Sequence, residues 1–143
     1  MRILFVCTGN TCRSPMAEGI LKKICAENGL EAEVRSAGIA AATGSPPSKN
    51  AEKVMKDRGI DISGHVARQI TEDDLRLADR IYTMTAGHKA IIDQAAPQYA
   101  DKVFVLGRGI PDPYGGDEDV YSACADSIEH SIREDLRWIT QQR

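Results

Sequence analysis

A continuously apolar run, Ile3-Leu4-Phe5-Val6, closes on Cys7 and hands over directly to Thr8-Gly9-Asn10-Thr11-Cys12-Arg13-Ser14. A segment apolar at every position, rather than at alternate ones, suits a strand buried on both faces, at the centre of a parallel sheet covered by helices. Ser14-Pro15 then reads as a helix N-cap followed by proline at the first helical position. Met16, Ile20, Leu21 and Ile24 share one face of the helix that follows, and Gly29 is placed to stop it. The chain therefore opens as strand, loop and helix.

That unit repeats in outline. Glu31 to Ser36 offers a second strand, with Ala32 and Val34 on one face, before a glycine- and proline-rich loop from Ser36-Ala37-Gly38 to Pro46-Pro47. A helix carries Ala51, Val54 and Met55 and stops at Gly59, and another starts at Thr71, where Thr71 and Asp74 resemble a capping box. Ile81 to Met84 and Val103 to Leu106 supply two more strands, separated by a helix capped at Thr85 and ended before Pro97. After the glycine-rich stretch Gly107 to Asp117, a last helix presents Val120, Cys124, Ile128, Ile132, Leu136 and Ile139 as one stripe. Strands alternating with helices predict an α/β fold, a three-layer sandwich whose central parallel sheet has about four strands and whose phosphate-binding loop follows the first. Ligands of such sheets bind beyond the carboxyl ends of the strands, which brings Cys7, Ser36, Thr85 and the 107–117 loop together.

At 143 residues, without an internal boundary or repeat, the chain is expected to form a single domain over 1–143. A formal net charge of −3 argues against nucleic acid as partner. No segment approaches the roughly 20 apolar residues of a membrane span, and the first apolar run is too short for a signal-peptide core. A cytoplasmic, monomeric protein with free thiols at Cys7, Cys12, Cys25 and Cys124 is expected.

The opening loop carries the chemistry. Gly9 and Asn10 are the residue types that accept a left-handed backbone, and a loop bent there turns successive N–H groups inward as an anion nest. The following helix adds its unpaired N–H groups and dipole, and the planar fork of Arg13 matches two phosphate oxygens at once. Thr8, Gly9, Asn10, Thr11 and Cys12 thus form a cup for a tetrahedral dianion, with Cys7 at its floor. The same positive field favours an ionised thiol, to which Ser14 can donate a hydrogen bond. A charged sulfur beneath a phosphoryl group points to attack at phosphorus and a phosphocysteine intermediate, with the nest and Arg13 stabilising charge and neither metal nor cofactor required. Asp112, restrained by Pro113, lies at the same end of the sheet as a general acid. The histidines His65, His88 and His130 show no spacing that would make a zinc site with Cys7 and Cys12.

Cys7 to Glu18, with Arg35-Ser36-Ala37-Gly38, Gly64-His65, Ala67-Arg68-Gln69 and Asp112-Pro113-Tyr114, resembles the low-molecular-weight protein tyrosine phosphatases over essentially the whole chain. The resemblance implies Cys7 as nucleophile, Arg13 as phosphate clamp, Asp112 as general acid and Ser14 as thiolate partner. It also implies that Asn10, Ser36 and His65 hold the loop in shape, and that phosphorylated proteins are the substrates. Thr11 stands where tyrosine-specific members usually carry isoleucine, and with Asp112 to Gly116 it resembles the protein arginine phosphatase branch. A flat, polar guanidinium is a poor neighbour for isoleucine. Ala40, Ala41 and Ala42 depart from that branch, which often has an aromatic residue there, so Tyr114 is expected to be the main aromatic wall. Phosphotyrosine is the alternative substrate. Thiol-dependent arsenate reduction is a rival that lacks the extra cysteines it would need around Tyr82 to Lys89, and a non-catalytic phosphate module is disfavoured by Cys7, Arg13 and Asp112 together. Cys12 either forms a reversible disulfide with Cys7 or packs behind the loop.

Overall fold

The computed structural model describes residues 1–141, apart from the side chain of Thr140, so Gln142 and Arg143 of the expected 1–143 domain lie outside the described residues. Four strands, β1 (Arg2–Cys7), β2 (Glu33–Gly38), β3 (Arg80–Thr83) and β4 (Val103–Val105), form one sheet in the order β2-β1-β3-β4, every pairing parallel. Between and after them come α1 (Arg13–Glu27), α2 (Lys49–Asp57), α3 (Glu72–Leu77), α4 (Ala86–Ala95), a 3₁₀ turn over Pro97–Lys102, α5 (Glu118–Asp135) and α6 (Arg137–Thr140). No helix among the described residues is long and apolar enough to cross a membrane.

β1 is the buried central strand that its unbroken apolar run predicts, and its period of two distributes that run between two cores. Ile3, Phe5 and Cys7 face a larger cluster with Met16, Ile20 and Leu21 of α1, Val54 and Met55 of α2, and Ile128 and Ile132 of α5. Leu4 and Val6 face a smaller one with Leu75 of α3, Ile81, Val103 and Ile92 of α4. Helices on both faces make the expected three layers. The capping box at Thr71 and Asp74, the Thr85 cap and the left-handed Gly29 and Gly59 also form as read from the sequence.

Several local expectations need correction. Ser14 does not cap α1: the helix starts at Arg13, with Cys12 at the cap and Pro15 at the third helical position. The Ser14 hydroxyl is engaged elsewhere. β2 begins two residues later than expected and continues through Gly38, where the composition predicts a loop. Backbone bonds from Gly38 N to Arg68 O and from Ile70 N to Gly38 O, both 2.9 Å, lengthen the strand. The final stripe is broken at Leu136 into α5 and α6, although Leu136 and Ile139 remain buried. Val120, placed in that stripe, is 46% exposed: it lies in the first turn of α5 against Gly116, where a Cβ would come within 2.7 Å of it. Finally, β3 runs Arg80–Thr83 rather than Ile81 to Met84, and β4 ends at Val105, short of the expected Leu106.

Candidate active site

β1 ends at Cys7 in the middle of the sheet, and the loop to α1 turns on one unusual residue. Asn10 has φ 56°, the only described non-glycine residue with positive φ, and it is fully buried. Gly9, the other candidate for a left-handed backbone, does not take one. Asn10 instead stabilises its own strained conformation by using every polar group. Its N–H donates to Cys7 Sγ (3.2 Å), and its Nδ2 donates to Ser14 Oγ (2.9 Å) and Ser36 Oγ (3.0 Å). Its Oδ1 accepts from Arg68 N (3.0 Å), and its carbonyl accepts from His65 Nε2 (2.8 Å). Ser36 passes the chain on, donating to Glu18 Oε1 at 2.7 Å, while Lys22 holds the other Glu18 oxygen at 2.6 Å.

Four further carbonyls around the loop are bonded to groups outside it. Cys7 O accepts from Ile39 N, Thr8 O from Ala40 N and Thr11 O from Ser48 N, each at 2.9 Å, and Cys12 O accepts from Met16 N at 3.1 Å. No peptide bond among the described residues is cis, so each N–H lies opposite the carbonyl of its own peptide unit. Carbonyls drawn to the periphery therefore turn the amides of Gly9, Thr11, Cys12 and Arg13 to the inner side. The nest expected from residue types is built by what surrounds it.

Cys7 lies beneath these amides, 3% exposed. Its sulfur is 2.8 Å from Ser14 Oγ. Asn10 N–H also donates to this sulfur, so an ionised Cys7, which can only accept, would receive hydrogen bonds from both Asn10 and the Ser14 hydroxyl. That is the pattern an anionic sulfur prefers. Arg13 is 4% exposed, and its Nη1 donates to Ile110 O at 2.9 Å. Its Nη2 stands 3.8 Å from Asp112 Oδ2, so the 107–117 loop meets the cup as expected. Asp112 is half-exposed, and its Oδ1 accepts from Tyr114 N at 3.0 Å. The Tyr114 ring is 83% exposed, so the aromatic wall expected of it is not formed by packing.

The other thiols differ. Cys12 is buried in the main core, with Thr11 Oγ1 3.7 Å and the Tyr121 hydroxyl 4.0 Å from its sulfur, and all four cysteines are free. Burial raises Cys25, and burial pushes Cys124 up to about 12 despite the Arg13 guanidinium. Both pack in the larger core cluster, where a raised pKa favours the neutral thiol. Among the described residues, no group of three or more His, Cys, Asp or Glu side chains is placed to hold a metal ion.

Sequence reasoning overlooked three participants. Glu18 lies inside the motif but was given no role, and the Ile110 carbonyl supporting Arg13 has no sequence signature. His88 was weighed only as a metal ligand, yet its Nε2 lies 2.8 Å from Thr8 Oγ1. The usable signal was the Thr85 cap, which puts His88 in the first turn of α4 at the catalytic end of the sheet.

Comparison with known proteins agrees with this geometry. Residues 2–143 match the family described as low molecular weight phosphotyrosine protein phosphatase. The chain is 42% identical to a protein-arginine-phosphatase of Geobacillus stearothermophilus, across 92% of this chain and 90% of that protein. It is 39% identical to the low molecular weight protein-tyrosine-phosphatase Ptp of Acinetobacter johnsonii, across 91% and 92%. A solved structure of the YwlE arginine phosphatase, a cysteine-to-serine mutant with a phosphorylated active-site serine, superposes with TM-score 0.94 at 37% identity, covering 100% of this chain and 98% of that one. The cup of amides, its sulfur and its facing carboxylate thus sit in a fold and a sequence pattern shared end to end, and the chain belongs to the low molecular weight phosphotyrosine protein phosphatase family.

Proposed function

We propose that the protein is a cysteine-dependent protein arginine phosphatase, removing phosphate from phosphoarginine in phosphorylated proteins. The observation that carries the reading is Cys7 Sγ, receiving a hydrogen bond from Asn10 N–H and lying 2.8 Å from Ser14 Oγ, at the end of β1 beneath the loop. Two proteins named for the arginine activity, among the similar chains, support the choice of substrate. So does Thr11, half-buried at the rim, with Oγ1 3.8 Å from where a Gly9 Cβ would stand.

The reaction is two displacements at phosphorus. The phosphoryl oxygens are held by the amides of Gly9, Thr11, Cys12 and Arg13 and by the Arg13 guanidinium. The Cys7 sulfur forms an S–P bond as the P–N bond breaks, and Asp112 gives its proton to the departing guanidine nitrogen. The resulting carboxylate takes a proton from water. The water oxygen then bonds to phosphorus, the S–P bond breaks, and phosphate leaves with the thiolate restored. Charge developing on the transferred group meets dipoles and a guanidinium already in place, which is where most of the acceleration arises. Asn10, Ser36 and His65 hold the loop, and Thr8 and Tyr114 flank the leaving group. Residues 1–143 act as one domain, as a cytoplasmic monomer without cofactor.

Phosphotyrosine is the second reading, favoured by the family's description and by the tyrosine-phosphatase relative. The test is kcat/KM on matched phosphoarginine and phosphotyrosine peptides. Wild type should prefer phosphoarginine, and Thr11→Ile should shift the ratio toward phosphotyrosine by about tenfold or more, the scale of one well-placed polar contact. A phosphotyrosine preference that Thr11→Ile leaves unchanged would defeat the arginine assignment.

A further inference from the structure

Thr8, the first residue after the nucleophile, is gripped from two sides. Its carbonyl accepts from Ala40 N at 2.9 Å, just beyond β2, and its hydroxyl meets His88 Nε2 at 2.8 Å. His88 is 7% exposed, and Thr85 Oγ1 accepts from its backbone N–H at 3.1 Å, so the start of α4 fixes where the imidazole stands. Its Nδ1 is buried without a partner. A bare ring nitrogen is tolerated there better than an N–H lacking an acceptor, which places the proton on Nε2. His88 is then the donor and Thr8 Oγ1 the acceptor. Burial, and next the Arg13 guanidinium, hold the imidazole below its ordinary 6.5, with Asp112 opposing.

This bond closes a circuit around the cup. Met84 N donates to Val6 O at 3.0 Å, Ile110 N donates to Met84 O at 2.7 Å, and Ile110 O receives Arg13 Nη1 at 2.9 Å. α4 begins two residues after Met84. The stem that carries the carbonyl support of Arg13 therefore also carries His88, which reaches back to the first residue of the loop. We propose that His88 is a positioning residue for phosphoryl transfer: by donating Nε2–H to Thr8 Oγ1 it fixes the peptide that presents the Gly9 amide, relative to Arg13 and Asp112. The inference rests on the phosphatase reading above but not on which phosphorylated residue is the substrate.

Three single variants and one double separate this role from packing. His88→Leu keeps bulk without a donor, His88→Gln keeps a side-chain N–H, and Thr8→Val keeps shape without an acceptor. Inorganic sulfate, a tetrahedral dianion that stays fully ionised near neutrality, is titrated against each, and kcat/KM is measured on p-nitrophenyl phosphate. His88→Leu and Thr8→Val should each weaken sulfate binding and kcat/KM about five- to tenfold, the scale of one hydrogen bond. The double variant should lose no more than either single one, and His88→Gln should retain most of the wild-type values. Equal losses in His88→Leu and His88→Gln, or losses that multiply in the double variant, would overturn the proposal. Should His88→Leu fail to fold, wild-type sulfate affinity in Thr8→Val overturns it. A wild-type protein that binds sulfate but turns over no phosphate ester or phosphoarginine would instead sink the functional reading, with sulfate still deciding the role of His88.

Discussion

The two loops that meet at the site are built in opposite ways. Residues 8–13 are locked: Asn10 is fully buried with each polar group bonded, and the carbonyls of Thr8, Thr11 and Cys12 are each held by a partner outside the loop. Residues 111–117 are open. Asp112 is half-exposed and Tyr114 83% exposed; the internal bonds are the short turns Tyr114 N to Asp112 Oδ1 (3.0 Å) and Gly116 N to Pro113 O (2.8 Å), and the bonds from outside to its carbonyls, Asn50 Nδ2 to Gly116 O at 3.2 Å and Cys124 Sγ to Pro111 O at 3.9 Å, fall at its two ends. The difference follows from the tasks. An anion cup is useful only if its dipoles point at the transition state beforehand, since reorienting them would cost what they supply. A proton donor and acceptor must serve two partners in turn, a leaving nitrogen and then a water.

The contrast can be broken by experiment. Asp112→Asn should lower kcat by about 10²- to 10⁴-fold, the usual contribution of a general acid, while leaving Tm close to wild type, because the carboxylate is itself half-exposed and stands 3.8 Å from Arg13, too far for a direct hydrogen bond. A large loss of Tm would mean that the open loop is structural after all. Asn10→Ala should do the reverse, costing about 3 kcal/mol of stability from several buried hydrogen bonds and an alanine forced to positive φ. Chemical denaturation measures it, and an unaltered midpoint would show that the locking is illusory. The smallest effect is with pH. Burial, then the Arg13 charge, hold His88 below 6.5, so below 6.5 the unfolded chain takes up its proton before the folded one does. That contribution to stability is complete above 6.5, is lost as pH falls toward the lowered folded value, and levels off beneath it. Tm followed across this interval in wild type and His88→Gln should differ in slope, and parallel curves would remove His88 from the titrating groups.

The sheet and most helix ends were legible because their signals are local. An unbroken apolar run, a Thr-x-x-Asp cap and a glycine at a helix end each act within a few residues. The proximity of Cys7, Arg13 and Asp112 was legible because their spacing and the strand-end rule bring them together. What was not legible was long-range satisfaction of polar groups. Ser14 looked like a cap until Asn10 and Cys7 were seen to claim its hydroxyl. Gly9 looked as suited to the turn as Asn10, and only the amide side chain of Asn10 could be bonded from Ser14, Ser36 and Arg68 at once. Val120 fitted the helical period but fell in the first turn, where the adjoining Gly116 rather than the core receives it. His88 carried no motif, since its meaning depends on a bond to a residue 80 positions away.

Gly38 shows how far the catalytic loop extends beyond its own residues. A Cβ built there would lie 2.6 Å from the Thr8 carbonyl oxygen and 3.1 Å from the Asn10 nitrogen. The missing side chain at the end of β2 is thus part of the mould in which the loop is cast. Residues 7–14 grafted onto another scaffold would keep their sequence and lose their shape, unless the host also brought a strand end with nothing projecting beneath them.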